Sequence, residues 1–587
     1  MNINEKEFIN SIDDHFWKVI RREIEYYDIL GYEDIDKEKF LKSLLQKINN
    51  HDYSVQSSFY RYFAKGNGVL RKTKSFSLED LVVYYYCIKK IQADLSSKIT
   101  ENEKVYGGYR ITPKSNEESK KDFIETLYMK DMIEPSKINS IDFENLTKKY
   151  KEYITKINSI PDEYQPKISK ANFRKDWSEY QRLAREAGSA NYNKYIHIDI
   201  AHFYDDVNLS ILERDLRSVV KDNSNIIDLL FHFLRSSDSK DIGYYPSNTG
   251  IPQEEIGEMS RLLANFYLAK YDTEILKFLR VKFKGNNDFL YTRYSDDMWI
   301  CFNGDEYDAY EVIQNSSLLL GKLKLHVNEK KTKIFTKAMF KDHWYFNEWD
   351  KLNKRKKDVE FLKSFYFSII VNSNNRGGRW LSIIRYTFKV ISSKGAYRFG
   401  SKGAKKFFKT ILENPSIVEN VETAQINFVK QLLEKNPDLI SDALSFLNSK
   451  ANIYPQFECF LLKVLSKVKR KEYKKVISEY LINRFLSSNK KDNFNWFARC
   501  ICISYFIENI DFIRRKFDSS FKFLLTKINS IEYVPNSIER RYVIFFLHYY
   551  CLGTGKSILD EKYSEVNDIS FIKYLNEKRR KRGKVIL

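Results

Sequence analysis

Three stretches of the chain carry the apolar pattern of buried strands, and two of them interrupt it with carboxylates. In FLYTRYSDDMWICF (289–302), Phe289, Leu290 and Tyr291 precede a polar tetrapeptide, and Met298, Trp299, Ile300 and Phe302 follow it. The pattern predicts two short strands joined by a tight turn, with Asp296 and Asp297 at the hairpin tip. Upstream, Tyr195, Ile196, Ile198 and Ile200 predict a buried strand with Asp199 inside it, just before the aromatic pair Phe203 and Tyr204. A third run, FLKSFYFSIIV (361–371), reads as a last sheet strand. The loop Asn372–Gly378 after it is either a strand-hairpin tip or the edge of the next domain. From about residue 380 the period lengthens: Tyr473, Val476, Ile477, Tyr480, Leu481 and Phe485 recur at helical spacing and predict one buried face. Asn-Pro at 414 and 436 and Tyr-Pro at 454 punctuate this region, two helices to roughly 40 residues, which predicts a HEAT-like α-solenoid.

An Asp inside an apolar strand is costly to bury without a partner. Adjacent carboxylates at a hairpin tip repel one another unless a cation lies between them. Mg²⁺ is held by one or two carboxylates plus substrate phosphates, and two such ions clamp the attacking and leaving oxygens of an in-line displacement. Asp199, Asp296 and Asp297 supply that donor set, with two Mg²⁺ ions, or Mn²⁺ in their place, as the expected cofactors. The tetrapeptide alone is equally a solvated acidic turn; Asp199 upstream is what favours chemistry.

The ordered motifs around these carboxylates resemble those of reverse transcriptases. DIAHFYDDV is similar to the first palm motif of that family, which implies a metal ligand at Asp199 and a steric gate against the sugar 2′ position at Tyr204. GIPQEEIGEMSRLLANFYL (250–268) resembles the second, which implies that Gln253 lies against the incoming sugar and that Ser260–Leu268 form the palm helix. YSDD is the third. LKLHVNEKKTKIF (323–335) resembles the fourth, which makes Lys331 the proton donor to the pyrophosphate leaving group. Arg71 and Lys72, ahead of LVVYYYCIKKI and YGGYR, resemble the fingers residues that grip the triphosphate. Two departures stand out. Glu254-Glu255 replaces the usual Gly-Ser in a loop that backs the template base, and residues 111–190 form a charged, helical insertion between fingers and palm. That insertion and the helical tail look like the abortive-infection, defence-associated reverse transcriptases of bacteria.

Composition narrows little further. In 587 residues, 99 Lys and Arg against 78 Asp and Glu leave a net charge of +21, which suits a polyanionic partner and equally describes a solvated lysine-rich surface. The 41 Tyr and 42 Phe include candidates for base stacking, most being core. Six cysteines without paired CxxC spacing predict neither zinc nor a disulfide framework, in keeping with a reducing cytoplasm. No apolar run approaches the ~20 residues of a membrane span, and the N-terminus has no signal-peptide pattern. Leu552–Ser557 ends like a phosphate-binding loop, but Tyr550 stands where the first Gly belongs, so Gly553 reads as a helix C-cap. Arg541 and His548 resemble the Arg/His pair of HEPN ribonucleases, against a structural Arg and a core His. The basic end, 578–582, reads as a solvated tail.

The expected fold is an α+β right-hand polymerase of fingers and palm followed by an all-α, HEAT-like C-terminal part. The expected domains are an N-terminal extension and fingers with the insertion (1–198), a palm with palm-proximal strands (199–371) and a helical thumb and repeat domain (372–587). What the resemblance implies is a cytoplasmic DNA polymerase that joins dNTPs in anti-phage defence, with little or no templating and with priming from a protein hydroxyl. An RNA-templated enzyme with a dedicated RNA partner is a second reading, and a HEPN-like ribonuclease or scaffold effector a third. Partners are then dNTPs, the DNA product and an RNA template or non-coding RNA, with homo-oligomers open and no membrane.

Overall fold

The structure is a computed structural model that describes residues 2–13, 17, 20, 36–55, 59–64, 68–99, 104–107, 173–221, 223–237, 248–253, 258–283, 288–371, 378–395, 399–418, 423–486, 495–527 and 546. The chain divides into two compact units: 1–86 with 236–245 and 396–587, and 87–235 with 246–395. Glu254-Glu255, most of the 111–190 insertion, the loop 372–377, Arg541, His548, 552–557 and the basic end lie outside the described residues.

In the first unit, β1 (Phe59–Ala64) and β2 (Leu70–Ser75) form an antiparallel hairpin. Helix α1 (Leu78–Ile99) follows and belongs to the second unit from Cys87 onward; its residues Val82 to Ile88 are all buried, as expected where a helical stretch is apolar all round. The first unit also holds the helices Glu5–Ser11 and Lys37–Asn49 near the N-terminus and a series of helices from Ser401 to Lys527. The Asn-Pro pairs end helices as expected. The amides of Asn414 and Asn436 donate to the carbonyls of Thr410 and Leu432, both at 3.0 Å, satisfying acceptors that a final turn leaves open. Pro455 opens the helix Pro455–Ser466, where its missing N–H costs nothing. Gln456 on that helix bonds both main-chain groups of Ala64, and Trp496 donates to the Tyr60 carbonyl, so helices hold the β1 edge. The helix Lys474–Leu486 forms where its period predicts, but Ile477, Ser478, Leu481, Ile482 and Phe485 are its buried side, while Val476 is half exposed. The Ser478 hydroxyl, 2.7 Å from that of Tyr505, lets a polar residue join the inner face.

The second unit is built on a five-stranded sheet in the order β3-β5-β6-β4-β7. Its strands are β3 (Val105–Tyr106), β4 (Lys194–Asp199), β5 (Phe289–Tyr294), β6 (Asp297–Phe302) and β7 (Lys333–Phe335). All neighbours are antiparallel except β3 and β5. Because side chains alternate across a strand, Tyr195, His197 and Asp199 share a face with their partners Cys301, Trp299 and Asp297. That face packs on α2 (Phe173–Ser189) and on α6 (Lys337–Trp344) through Tyr180, Leu183, Ala184, Phe340 and Trp344. On the other side of the site lie α3 (Phe203–Asp206), α4 (Glu258–Lys282), which contains the expected Ser260–Leu268 helix, and α5 (Glu306–Lys322).

The strand expected at 361–371 is a helix, α7 (Val359–Val371), followed by α8 (Trp380–Ser393). Leu362, Phe365, Tyr366 and Ile369 are its buried residues, a helical spacing masked by the nearly continuous apolar run. Asp358 accepts from the Phe361 N–H at 3.0 Å, an N-cap bond that a strand reading overlooks. The palm-proximal strands therefore end at β7.

Gly107 touches the β5–β6 hairpin: its φ is +85°, and an added Cβ would lie 3.0 Å from the Ser295 nitrogen and 3.3 Å from the Tyr294 ring. A side chain there meets a left-handed backbone as well as the turn. Gly107→Ala is expected to destabilise the protein by about 1–3 kcal/mol, read from chemical denaturation at unchanged m-value.

Candidate active site

The β5–β6 hairpin turns in two residues, Ser295 and Asp296, with Tyr294 paired to Asp297. Ser295 has φ +56°, the positive value that tight hairpin turns require and that costs a non-glycine residue conformational energy. Its neighbours offset that cost. The Ser295 N–H donates to the Tyr106 carbonyl at 3.1 Å, its carbonyl accepts from Arg293 at 2.8 Å, and its hydroxyl lies 3.3 Å from that of Tyr204. Arg293 itself is fully buried. It forms a two-pronged ion pair with Asp272 on α4 and donates to Asn265 at 2.8 Å, while Tyr291 donates to the same Asp272. The network ties the palm helix to the hairpin tip.

The three carboxylates meet there in different surroundings. Asp199 ends β4 directly opposite Asp297. Lys331 donates to both of its oxygens at 2.8 and 2.9 Å, and the Asn328 amide adds a bond at 3.1 Å. Asp297 is held between His197, at 2.7 Å on one oxygen, and Arg379 on the other. The other ring nitrogen of His197 lies 3.1 Å from the Lys331 carbonyl. Both ring nitrogens thus face acceptors, and the ring donates at both only in its doubly protonated form. Burial disfavours the charged form of Asp297, but Arg379 and His197 outweigh it and hold the carboxyl well below the usual range. Asp296 has no such partner within ion-pair distance among the described residues. Burial first, then the charges of Asp199 and Asp297, push it up to about 6. His343, next to Arg379, is kept neutral: burial and the nearby cations lower it to about 3.

Carboxylate oxygens of this kind suit a hard divalent cation. Asp199 already carries Lys331 on both oxygens, so among the described residues Asp296 is the carboxylate of the three without a cation at contact distance. Among the described residues no group of three or more His, Cys, Asp or Glu side chains is arranged so that it could hold a metal ion.

The site thus brings Asp199, Asp296, Asp297 and Lys331 together, with Tyr204 beside Ser295. Gln253 follows closely: the Ile251 N–H donates to the Tyr204 carbonyl at 2.9 Å, and the Gly250 N–H to the Val207 carbonyl at 2.8 Å. Gly250, at φ +95°, makes that close pairing possible. Burial raises the Tyr204 hydroxyl above its ordinary range, so it stays neutral. Arg71 and Lys72 are on β2 of the first unit, where Arg71 is exposed. Sequence reasoning missed His197, Arg379 and the Arg293–Asp272 pair. His197 had a signal, its placement two residues before Asp199 on the same strand face. Arg379, 82 residues beyond its partner, had none.

Residues 128–367 match the family Reverse transcriptase (RNA-dependent DNA polymerase). The chain carries a reverse transcriptase domain. Its four palm motifs fall inside the match, and nucleotidyl transfer is the chemistry of the domain. Similar solved structures include telomerase from Candida albicans in complex with a fragment of telomeric RNA, at 11% identity and a TM-score of 0.29, covering 75% of this chain and 70% of that one. Apo telomerase from Candida tropicalis is 13% identical with a TM-score of 0.28, covering 78% and 88%. No curated protein matches the sequence.

The raised Asp296 carboxyl has a sign that can be tested. A folded-state acid that titrates near 6 instead of 3.8 binds its proton more tightly than in the unfolded chain. It therefore costs no stability below about pH 4 and a growing amount as pH rises through 6. In EDTA at pH 7.5, Asp296→Asn is expected to be more stable than wild type by about 1–3 kcal/mol, an advantage that disappears near pH 4 in denaturation curves.

Proposed function

We propose that this protein is a DNA polymerase that adds dNTPs through two divalent cations, in anti-phage defence of the abortive-infection type and with little dependence on a template. The observation that carries the polymerase reading is the convergence of Asp199, Asp296 and Asp297 at the hairpin tip, with Asp296 lacking a cation at contact distance among the described residues, beside Tyr204 and Lys331. The bound ions would screen the charge of the triphosphate and ease loss of the 3′-hydroxyl proton to solvent, so that the oxygen attacks as an alkoxide. Asp199 and Asp296 would orient them, and Lys331, an ammonium already at the site, would release a proton to the pyrophosphate as it leaves. The Tyr204 ring, steadied at its hydroxyl by Ser295, would exclude a 2′ oxygen by bulk.

Weak templating rests on Glu254-Glu255 in place of small residues, since carboxylates repel a template phosphate. Defence rests on the insertion and on the helical C-terminal part, which we read as a HEAT-like repeat. Priming from a protein hydroxyl and a cytoplasmic location belong to the same reading.

Asp199→Asn and Asp296→Asn are each expected to reduce nucleotide incorporation by at least about 10³-fold while circular dichroism stays native. Synthesis by either folded variant at wild-type rate would end the polymerase reading. Tyr204→Ala is expected to admit rNTPs and Tyr204→Phe to change little, measured by competition between rNTP and dNTP. Sequencing the product made with and without added RNA separates the templating readings: a biased product independent of RNA supports ours, and faithful copies of the added RNA support a templated enzyme.

A further inference from the structure

The two carboxylates at the hairpin tip are adjacent in sequence and opposite in circumstance. Asp296 has no cation at contact distance among the described residues, whereas both oxygens of Asp297 are taken, by His197 and by Arg379. Arg379 is not a surface side chain that swung in; its own is 15% exposed. Its guanidinium carbon lies 4.1 Å from the centre of the Trp344 ring, 5.0 Å from Trp177 and 5.9 Å from Tyr180, all within cation–π range. The cation is so enclosed that its buried Nε finds no acceptor.

The backbone is fixed as tightly. The Arg379 N–H donates to the His343 carbonyl at 3.0 Å. Gly378, at φ +60°, lies so close to His343 that an added Cβ would be 2.5 Å from that carbonyl oxygen. Tyr180 closes the arrangement by donating to the main-chain carbonyl of Asp297 at 3.1 Å. Three segments, α2, α6 and the turn before α8, thus converge on one carboxylate.

We propose that Asp297 is an electrostatic anchor rather than a metal ligand, and that Arg379 is the positioning residue that holds it, aiming Asp296 and Asp199 alone at the metal ions. The proposal rests on the metal-dependent nucleotidyl-transfer reading above and divides the labour among its carboxylates. An Asp297 turned to the ions would add a third negative charge beside Asp199, its direct cross-strand neighbour, and would leave Arg379 buried without a partner. Held by Arg379, it keeps β6 in register and spares the metal site that repulsion.

The test combines Mn²⁺ binding, followed by electron paramagnetic resonance in the presence of a dNTP, with kcat and KM for incorporation. Asp297→Asn is expected to keep Mn²⁺ affinity within about threefold of wild type, while Asp296→Asn and Asp199→Asn lose at least about tenfold. Arg379→Met is expected to lower kcat by about 10–100-fold with KM for dNTP and Mn²⁺ affinity little changed, because the ligands remain but are misaimed. Arg379→Lys should recover part of kcat. Adding Asp297→Asn to Arg379→Met should cost less than the two single changes combined, since one interaction is being removed twice. Gly378→Ala, which shifts the backbone of Arg379 without touching any charge, should lower kcat in the same way. If Asp297→Asn weakens Mn²⁺ binding as much as Asp296→Asn, Asp297 is a ligand and the proposal is wrong. Full kcat in both Arg379→Met and Gly378→Ala also overturns it. A wild-type protein that neither binds Mn²⁺ nor incorporates nucleotides would instead bring down the polymerase reading, and this proposal with it.

Discussion

The register between β4 and β6 sets Asp199 directly across from Asp297, with Asp296 one residue away at the turn. Like charges on opposed strand positions repel, and at a partly buried site the repulsion is weakly screened. Much of the second unit can be read as the answer to that cost. Lys331 and Asn328 arrive from the segment before β7 to bind Asp199, and their backbone follows, with the Asn328 N–H donating to the Asp199 carbonyl at 2.8 Å. Arg379 and His197 take Asp297. Among the described residues, Asp296 alone of the three is left without a compensating cation.

Holding a strained turn in a fixed direction needs more than charge balance. Ser295 is gripped at its N–H, its carbonyl and its hydroxyl. The carbonyl grip comes from Arg293, whose ion pair with Asp272 has no exposure worth the name. Replacing a buried ion pair by apolar residues is often harmless to stability, so this pair is better explained by direction than by strength. It fixes where the tip points relative to α4. On the opposite face of the sheet, the aromatic layer of Tyr180, Trp299, Phe340 and Trp344 supplies the apolar burial around His197 and Asp297.

The two faces of the sheet thereby have separate tasks. One face carries His197, Asp199, Asp297 and the aromatic layer, and there polar and aromatic side chains share the interior. The other contributes Ile196, Ile198, Met298, Ile300 and Phe302, all buried, with Tyr291 and Arg293 adding the polar network to Asp272 within that apolar packing. Tyr204 and the hairpin are coupled through the contact of its hydroxyl with that of Ser295, and the Tyr204 carbonyl holds the segment that leads to Gln253.

Local sequence was enough for β4, for the β5–β6 hairpin with its carboxylates and for the Asn-Pro and Tyr-Pro helix boundaries, whereas the helix containing Ser260–Leu268 followed from the resemblance of its motif. Each of the former depends on period, on turn chemistry or on capping, which neighbouring residues express. The run 361–371 was ambiguous for a related reason: almost every residue in it is apolar, so neither a period of two nor one of 3.6 stands out, and the Asp358 cap that settles it is a single hydrogen bond. The core carboxylates and Lys331 were legible because they sit in ordered motifs. What sequence could not reveal was which carboxylate would be neutralised. Arg379 reaches Asp297 across 82 positions, Asp272 reaches Arg293 across 21, and Lys331 reaches Asp199 across 132. No local rule encodes such pairings, because they exist only once the sheet is closed and α2, α6 and α4 are packed around it.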